Sequence, residues 1–241
     1  STWPMRPNAP SGSVPVGAGG WTTVGPSASG FPGNAAPRAL SQEEIPAIVQ
    51  TFVDATRRAA SAGFDVVELH AAHGYLLHQF LSPLSNQRTD AYGGSLQNRM
   101  RLTLEVTEAV RAEWPADRPL FVRVSATDWL DGGWDVANTC ALVGELKGLG
   151  VDLIDVSSGG LLPASVPVGP GYQVGLAGSV RAVGLPTAAV GLITSAVQGQ
   201  RVLDAGAADA VLFGRESLRD PVLPLRYAES LGRASELRPL P

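Results

Sequence analysis

The sequence predicts an α/β fold whose parallel strands form part of a TIM-type (β/α)8 barrel, with about five strands in this chain. Three observations carry the prediction. A helix-then-strand unit recurs, three helix-to-strand joints are built alike, and polar residues gather just after the strands. Strands that alternate with helices run parallel and cross over right-handed.

Residues 1–38 hold seven Gly and seven Pro, too many for a helix of ordinary length. Trp21-Thr22-Thr23-Val24 reads as one strand of a short hairpin, and the remainder as either an ordered loop or a disordered tail. The first helix starts at Ser41, which has Glu44 at capping-box spacing. Ile45, Ile48, Val49, Phe52 and Val53 follow at helical intervals, and Gly63 stands where the helix should stop. Residues 64–69 then read as a buried strand. Further helices over about 95–114, 136–149, 174–183 and 195–205 lead to strands over 120–125, 152–156, 187–190 and 209–213. The joints Ala62-Gly63-Phe64-Asp65, Leu149-Gly150-Val151-Asp152 and Ala205-Gly206-Ala207-Ala208-Asp209 each put Gly at the helix end and Asp at the strand's mouth. This divides the chain into a Gly/Pro-rich loop over 1–40, a barrel body over 41–232 and a tail over 233–241.

Five strands also suit an open doubly wound sheet, but that fold wants Gly-x-Gly-x-x-Gly after its first strand, and no strand here is followed by it. A closed barrel has eight strands and ~250 residues, with its site at the C-terminal rim. The polar residues match that rim: His70 and His73, Arg123 and Ser125, Ser157 and Ser158, Gly191, Gly214 and Arg215 all follow strands.

Hydrophobic residues make up 44% of the chain, enough for a substantial core. A net charge of -4 argues against a nucleic-acid partner, which wants a basic patch. No long apolar run suggests a membrane span, and no charged start followed by an apolar stretch suggests a secretory signal. Cys140 is the only cysteine, so no intrachain disulfide forms; it reads as a core residue of a helix. A reducing, cytoplasmic location is expected.

All three histidines lie within residues 68–83. His70 and His73 follow a strand directly, with Tyr75 two places on. Two imidazoles can donate to one oxygen, and a phenol with pKa ~10 can deliver a proton without ionising at neutral pH. The alternatives are a His pair that caps a turn, or a zinc site. Zinc wants a third ligand, for which His78 is the candidate with no Cys nearby, so no metal is expected. The loop that follows is rich in Asn, Arg and Asp and ends at an N-cap Ser95. Arg88, Asp90 and Arg99 there read as internal structural pairs. Trp129, Trp134 and residues 161–168 either shape a substrate side or pack.

The ordered run His70-Ala-Ala-His73-Gly-Tyr75, Phe80-Leu-Ser-Pro-Leu-Ser-Asn86, Arg88-Thr-Asp90-Ala-Tyr92-Gly-Gly94-Ser95 and Asn98-Arg99 resembles the old yellow enzymes. The His-x-x-His form is similar to their bacterial, thermophilic-like or xenobiotic-reductase branch; the yeast-type branch has Asn at the second position. The likeness continues through Phe121-Val-Arg123-Val-Ser125, Asp155-Val-Ser157-Ser158-Gly159, Ala189-Val-Gly191-Leu-Ile193 and Phe213-Gly214-Arg215, covering about residues 20–230. Iron–sulfur flavin barrels of the same superfamily carry a Cys-rich segment after the barrel, which the lone Cys140 does not match.

The resemblance implies tightly bound, non-covalent FMN and hydride supply from NADPH or NADH. It implies reduction of the C=C bond of enones, enals, maleimides or nitroalkenes. His70 and His73 correspond to the donors to the alkene's activating oxygen, and Tyr75 to the proton donor. Arg123 corresponds to a flavin-facing cation, the alternative being a buried ion pair that needs a carboxylate partner. Gly191 after the family's seventh strand, and Gly214 with Arg215 after its eighth, correspond to the FMN phosphate site, with Val190, Leu192 and Phe213 beside them as further FMN-binding positions. The five strands equate to family strands 4–8. About three preceding βα units are expected to be absent, taking with them further flavin contacts. They are supplied by another chain, or lost by truncation or proteolysis. A non-catalytic fragment or one chain of a split barrel is thus the alternative to a working reductase. A complete protein is expected to be a homo-oligomer, and Arg238 in the tail is the candidate for the C-terminal Arg that family members place in a neighbouring subunit.

Overall fold

The computed structural model describes Val14 and residues 16–234; residues 235–241 of the predicted tail, Arg238 among them, and most of the first loop's start lie outside the described residues. β1 (Val24–Gly25) and β2 (Arg38–Ala39) form a two-residue ladder. The expected hairpin is corrected here: the pair is parallel, with Val24 opposite Arg38, because residues 26–37 cross over rather than turn back. Arg38 then meets the Glu44 carboxylate at 2.8 Å, and the Ser41 N–H donates to the same carboxylate at 2.8 Å. This capping box opens on a tight turn over Gln42–Glu44, and α1 proper runs Ile45–Ser61.

The next strand, β3, is Val67–Ala71, displaced from the predicted 64–69. It begins where its neighbour can pair, with Val67 opposite Leu120. Pro119 precedes Leu120 and has no N–H to extend the ladder. Phe64 is consequently 59% exposed. After β3 come α2 (Leu76–Leu81), α3 (Leu96–Glu113), β4 (Leu120–Ser125) and α4 (Val136–Gly148). Then follow β5 (Leu153–Ser157), α5 (Val174–Arg181), β6 (Thr187–Ala189), α6 (Ala196–Asp204) and β7 (Ala210–Val211). Two short helices, α7 (Arg215–Arg219) and α8 (Leu223–Ser230), close the described chain.

β3 to β7 form one parallel sheet in strict chain order. A doubly wound sheet reverses its order at a switch point, whereas barrel winding does not. The joints work as their composition suggests. Gly63, Gly150 and Gly206 all take left-handed φ, between 64° and 81°. The carboxylates of Asp152 and Asp209 accept the N–H of Leu120 at 2.8 Å and Thr187 at 3.0 Å, tying each new strand to the start of the previous one. Side chains of Ser95, Asp135 and Ser195 cap α3, α4 and α6.

The two faces of the sheet differ. Leu69, Ala71, Val122, Val124, Ile154 and Val156 point to the helices and are buried with Leu102, Val106, Trp114, Leu142 and Leu146. Burial of such a side chain stabilises by about 1.5–3 kcal/mol. The other face carries Glu68, His70, Phe121, Arg123, Leu153 and Asp155, and its register sets His70, Arg123 and Asp155 in one row. Cys140 is only half-buried, its Sγ 3.6 Å from Ser179 O between α4 and α5, so the expectation of a core cysteine is corrected.

Candidate active site

The chain leaves β3 through a sharp turn. His73 (φ 57°) and Gly74 (φ 74°) are both left-handed, and the Tyr75 N–H donates to Ala72 O at 3.2 Å. A side chain at Gly74 would lie 2.4 Å from Gly160 O, so the turn presses on the β5–α5 loop. This geometry gathers the three predicted groups. The His70 ring lies 5.2 Å from that of His73 and 5.0 Å from that of Tyr75.

Neighbouring loops fix the turn. The His73 N–H donates to Ser125 Oγ at 3.0 Å, and Ser125 Oγ donates to Gly159 O. His73 Nε2 lies 2.7 Å from Ser157 Oγ. The Gly74 N–H donates to His78 Nδ1 at 3.0 Å, so the His78 proton sits on Nε2, which lies 2.9 Å from Asp128 Oδ1. Both side chains of that pair are fully buried. Asp128 Oδ2 accepts from Ser82 Oγ and from the Trp134 N–H. His78 is therefore committed to the scaffold and faces no site with His70 and His73. Among the described residues no three His, Cys, Asp or Glu side chains gather so as to hold a metal.

Burial, and then the nearby Arg123 cation, push the pKa of both His70 and His73 down to about 4. Both rings are neutral at pH 7, and His70 Nδ1 is buried without a hydrogen-bond partner. Arg123 Nε stands 3.0 Å from Asp155 Oδ2, so the carboxylate that an ion-pair reading required is present. The contact is a close charge pair rather than an aligned hydrogen bond, since Arg123 Nε and Asp155 Oδ1 both lack one. Burial raises Asp155 to about 7, with Arg123 opposing and Glu68 adding to the rise.

Arg123 also lines a cavity of about 360 Å³, together with Ser157, Val190, Gly191, Leu192, Gly214 and Arg215. Gln173 shapes one wall: its Nε2 donates to Val190 O, and Ser158 Oγ donates to its Oε1. Gln198 splints the loop after β6 by donating to Leu192 O and accepting from the Thr194 N–H. Arg215 is exposed and has no ion-pair partner among the described residues. Phe213, expected at this site, instead packs edge-on against Tyr227 and over Gly199; Leu212 lines the cavity in its place. His70 and Tyr75 face a second, apolar cavity of about 460 Å³ with Val24, Ile48, Phe52, Leu76 and Leu77. His73, beside His70, contacts Ser157 on the wall of the first cavity.

Sequence reasoning gave no role to Ser157, Gln173, Asp128 or Asp155. Ser157 had a signal, its position at a strand end; Gln173 lies in a long loop and had none. Arg88 pairs with Asp90 as expected, whereas Arg99 binds the carbonyls of Leu81 and Gly94 rather than a carboxylate. Trp134 is a packing residue, 1% exposed with its Nε1 on Thr139.

A rim built this way belongs to the α/β-barrel enzymes that seat an anionic ligand across the C-terminal ends of their strands. Comparison with known proteins narrows that class. A 49% identity over 217 residues links the chain to the NADPH dehydrogenase of Bacillus licheniformis, covering 89% of this chain and 63% of that protein. The NADPH dehydrogenase of Geobacillus thermodenitrificans is 52% identical over 197 residues, covering 81% and 57%. Among solved structures, morphinone reductase in complex with tetrahydroNAD superposes with a TM-score of 0.72 at 33% identity, over 89% of this chain and 61% of that one. The chain belongs to the NADH:flavin oxidoreductase / NADH oxidase family, whose model matches residues 19–233, and so to the old yellow enzymes it resembles. It spans about three fifths of the length of these two curated relatives. Among the described residues no helix is long and apolar enough to cross a membrane.

Proposed function

We propose that the chain carries the substrate and phosphate sides of an FMN-dependent reductase that uses NADPH or NADH to reduce activated alkenes such as enones, enals, maleimides and nitroalkenes. The observation that carries this reading is the convergence of two neutral imidazoles and a phenol beside an arginine-lined cavity. The residues fit the cofactor. Arg215 offers a free fork to a phosphate, and Gly191 opens backbone to the same cavity, where a side chain would meet Gln173 at 2.8 Å. Bound FMN supplies the hydride chemistry; the chain supplies orientation and charge.

Neutral His70 and His73 donate N–H to the carbonyl or nitro oxygen of the alkene and draw electron density from its β-carbon. His73 does so from Nδ1, in the tautomer whose Nε2 accepts from Ser157 Oγ. The Tyr75 phenol, beside His70, delivers the proton to the α-carbon. Arg123 places a fixed cation on the wall of the first cavity, and Val190, Leu192 and Gly214 complete the phosphate side. Tyr75→Phe should slow alkene reduction about 10²-fold while leaving flavin reduction by NADPH at the wild-type rate. Rapid-mixing measurement of the two half-reactions checks this, and equal alkene turnover removes Tyr75 from the role.

The second reading, a fragment that needs further barrel units from elsewhere, is favoured by the two sheet edges, β3 and β7, that are unpaired among the described residues. A visible flavin spectrum, with the intact mass of every chain present, separates the two. Flavin on this chain alone supports the first, and flavin only with additional chain supports the second.

A further inference from the structure

Arg123 is a cation set in the middle of a strand, and such a charge has to be held and partly neutralised. The register supplies the means. Asp155 stands opposite Arg123 on the next strand, its side chain 3% exposed and its Oδ2 3.0 Å from Arg123 Nε. With Nε turned to Asp155, the terminal guanidinium nitrogens have no hydrogen-bond partner among the described residues, and the side chain lines the 360 Å³ cavity. Asp155 Oδ1 is buried and makes no hydrogen bond of its own, so Arg123 is what the carboxylate has to hold.

We propose that Asp155 is the positioning residue for Arg123 and the tuning charge of the site: its carboxylate fixes the guanidinium and cancels part of its charge, and so limits how strongly the cavity favours reduced over oxidised FMN. The inference rests on the FMN reading above and goes beyond it by assigning a residue that touches neither FMN nor the alkene. The groups facing Asp155 are Arg123 on β4 and Glu68 on β3, with His70 further along the row and the apolar Ala188 opposite on β6. His70 stays neutral above about pH 4, so it does not change the balance near neutrality.

The test is the midpoint potential of FMN in the flavin-loaded protein, wild type against Asp155→Asn. At about pH 8.5 the wild-type carboxyl is ionised, and its loss leaves Arg123 unopposed. FMN in the variant should then be about tenfold easier to reduce, about 30 mV higher for a two-electron couple. At about pH 5.5 the wild-type carboxyl is protonated and resembles the amide, so the two potentials should coincide. A purely structural disturbance would shift both pH values alike. Equal potentials at the higher pH, with FMN bound to both, overturn the assignment of Asp155 alone. A protein that takes up no FMN overturns this and the functional reading together. If Asp155→Asn does not fold, the wild type decides: its FMN potential should fall more steeply with pH than that of free FMN, because reduction adds negative charge and draws a proton onto Asp155. A slope parallel to free FMN overturns the proposal.

Discussion

His70 and His73 work as hydrogen-bond donors only because they stay neutral, and burial next to Arg123 is what keeps them so. Their pKa values of about 4 make a site-specific prediction. In NMR titrations both rings should hold neutral-imidazole shifts through pH 6 and titrate near 4; a midpoint at the ordinary value of about 6.5 contradicts the site's electrostatics. Global stability is a poor monitor of this. The unfolded chain binds protons on these histidines from about pH 6.5 downward while the folded chain resists until about 4, so their contribution erodes as pH falls through that window. Asp155, raised to about 7, has the opposite sign: the folded state keeps a proton that the unfolded chain has released, so its contribution erodes as pH rises toward 7. Gly74 is the other residue on which the site depends. Gly74→Ala demands a left-handed alanine and a clash 2.4 Å from Gly160 O, and should cost about 3 kcal/mol in urea unfolding. A loss below about 1 kcal/mol would mean that the β3–α2 turn is not pinned. The histidines and Tyr75 were legible because one short run of sequence carries them. The partnership of Arg123 with Asp155 was not, because a sheet register created it.

At the scale of elements, the regular pieces were the readable ones. Helices opened by a capping side chain, α3, α4 and α6, appear within a few residues of their predicted bounds. α2 carried no such signal: five of its six residues are buried, so no polar face marks its period. The hairpin and the displaced β3 failed for a related reason, since pairing partners rather than local composition set their limits. What holds α2 against its neighbours is Asp128, which ties the α2 histidine, Ser82 and the Trp134 N–H into one buried knot. Asp128→Ala should therefore cost about 1–3 kcal/mol, because it leaves the buried donors of His78, Ser82 and Trp134 without their acceptor. It should also raise KM for the alkene more than it lowers kcat, because the Gly74 turn loses its anchor through His78. Unchanged stability and unchanged KM would show that the turn is held without this knot.

At the scale of the whole molecule, the barrel was legible from where the polar residues fall, and the sequential strand order agrees with it. The inner face is the part that composition could not describe. In a closed barrel that face is a packed core. Here Glu68 is exposed, and Phe121, Arg123 and Leu153 are only half-buried. Two strand edges, Val67–Ala71 and Ala210–Val211, have a partner on one side only among the described residues. Beside the first edge lies the apolar cavity lined by Val24, Ile48, Phe52, Leu76 and Leu77. Open edges and exposed apolar surface are what proteins ordinarily cover to avoid association. The 241-residue chain studied by itself should therefore bind a hydrophobic dye such as ANS and associate as its concentration rises. Both effects should diminish when the chain is extended with the corresponding N-terminal barrel units of a relative, because those units would pair β3 and cover the cavity. Light scattering and dye fluorescence measure the two effects. A monodisperse monomer that binds no dye would mean that this part of the barrel closes its own edges, and the cavity beside His70 and Tyr75 would then be a finished pocket.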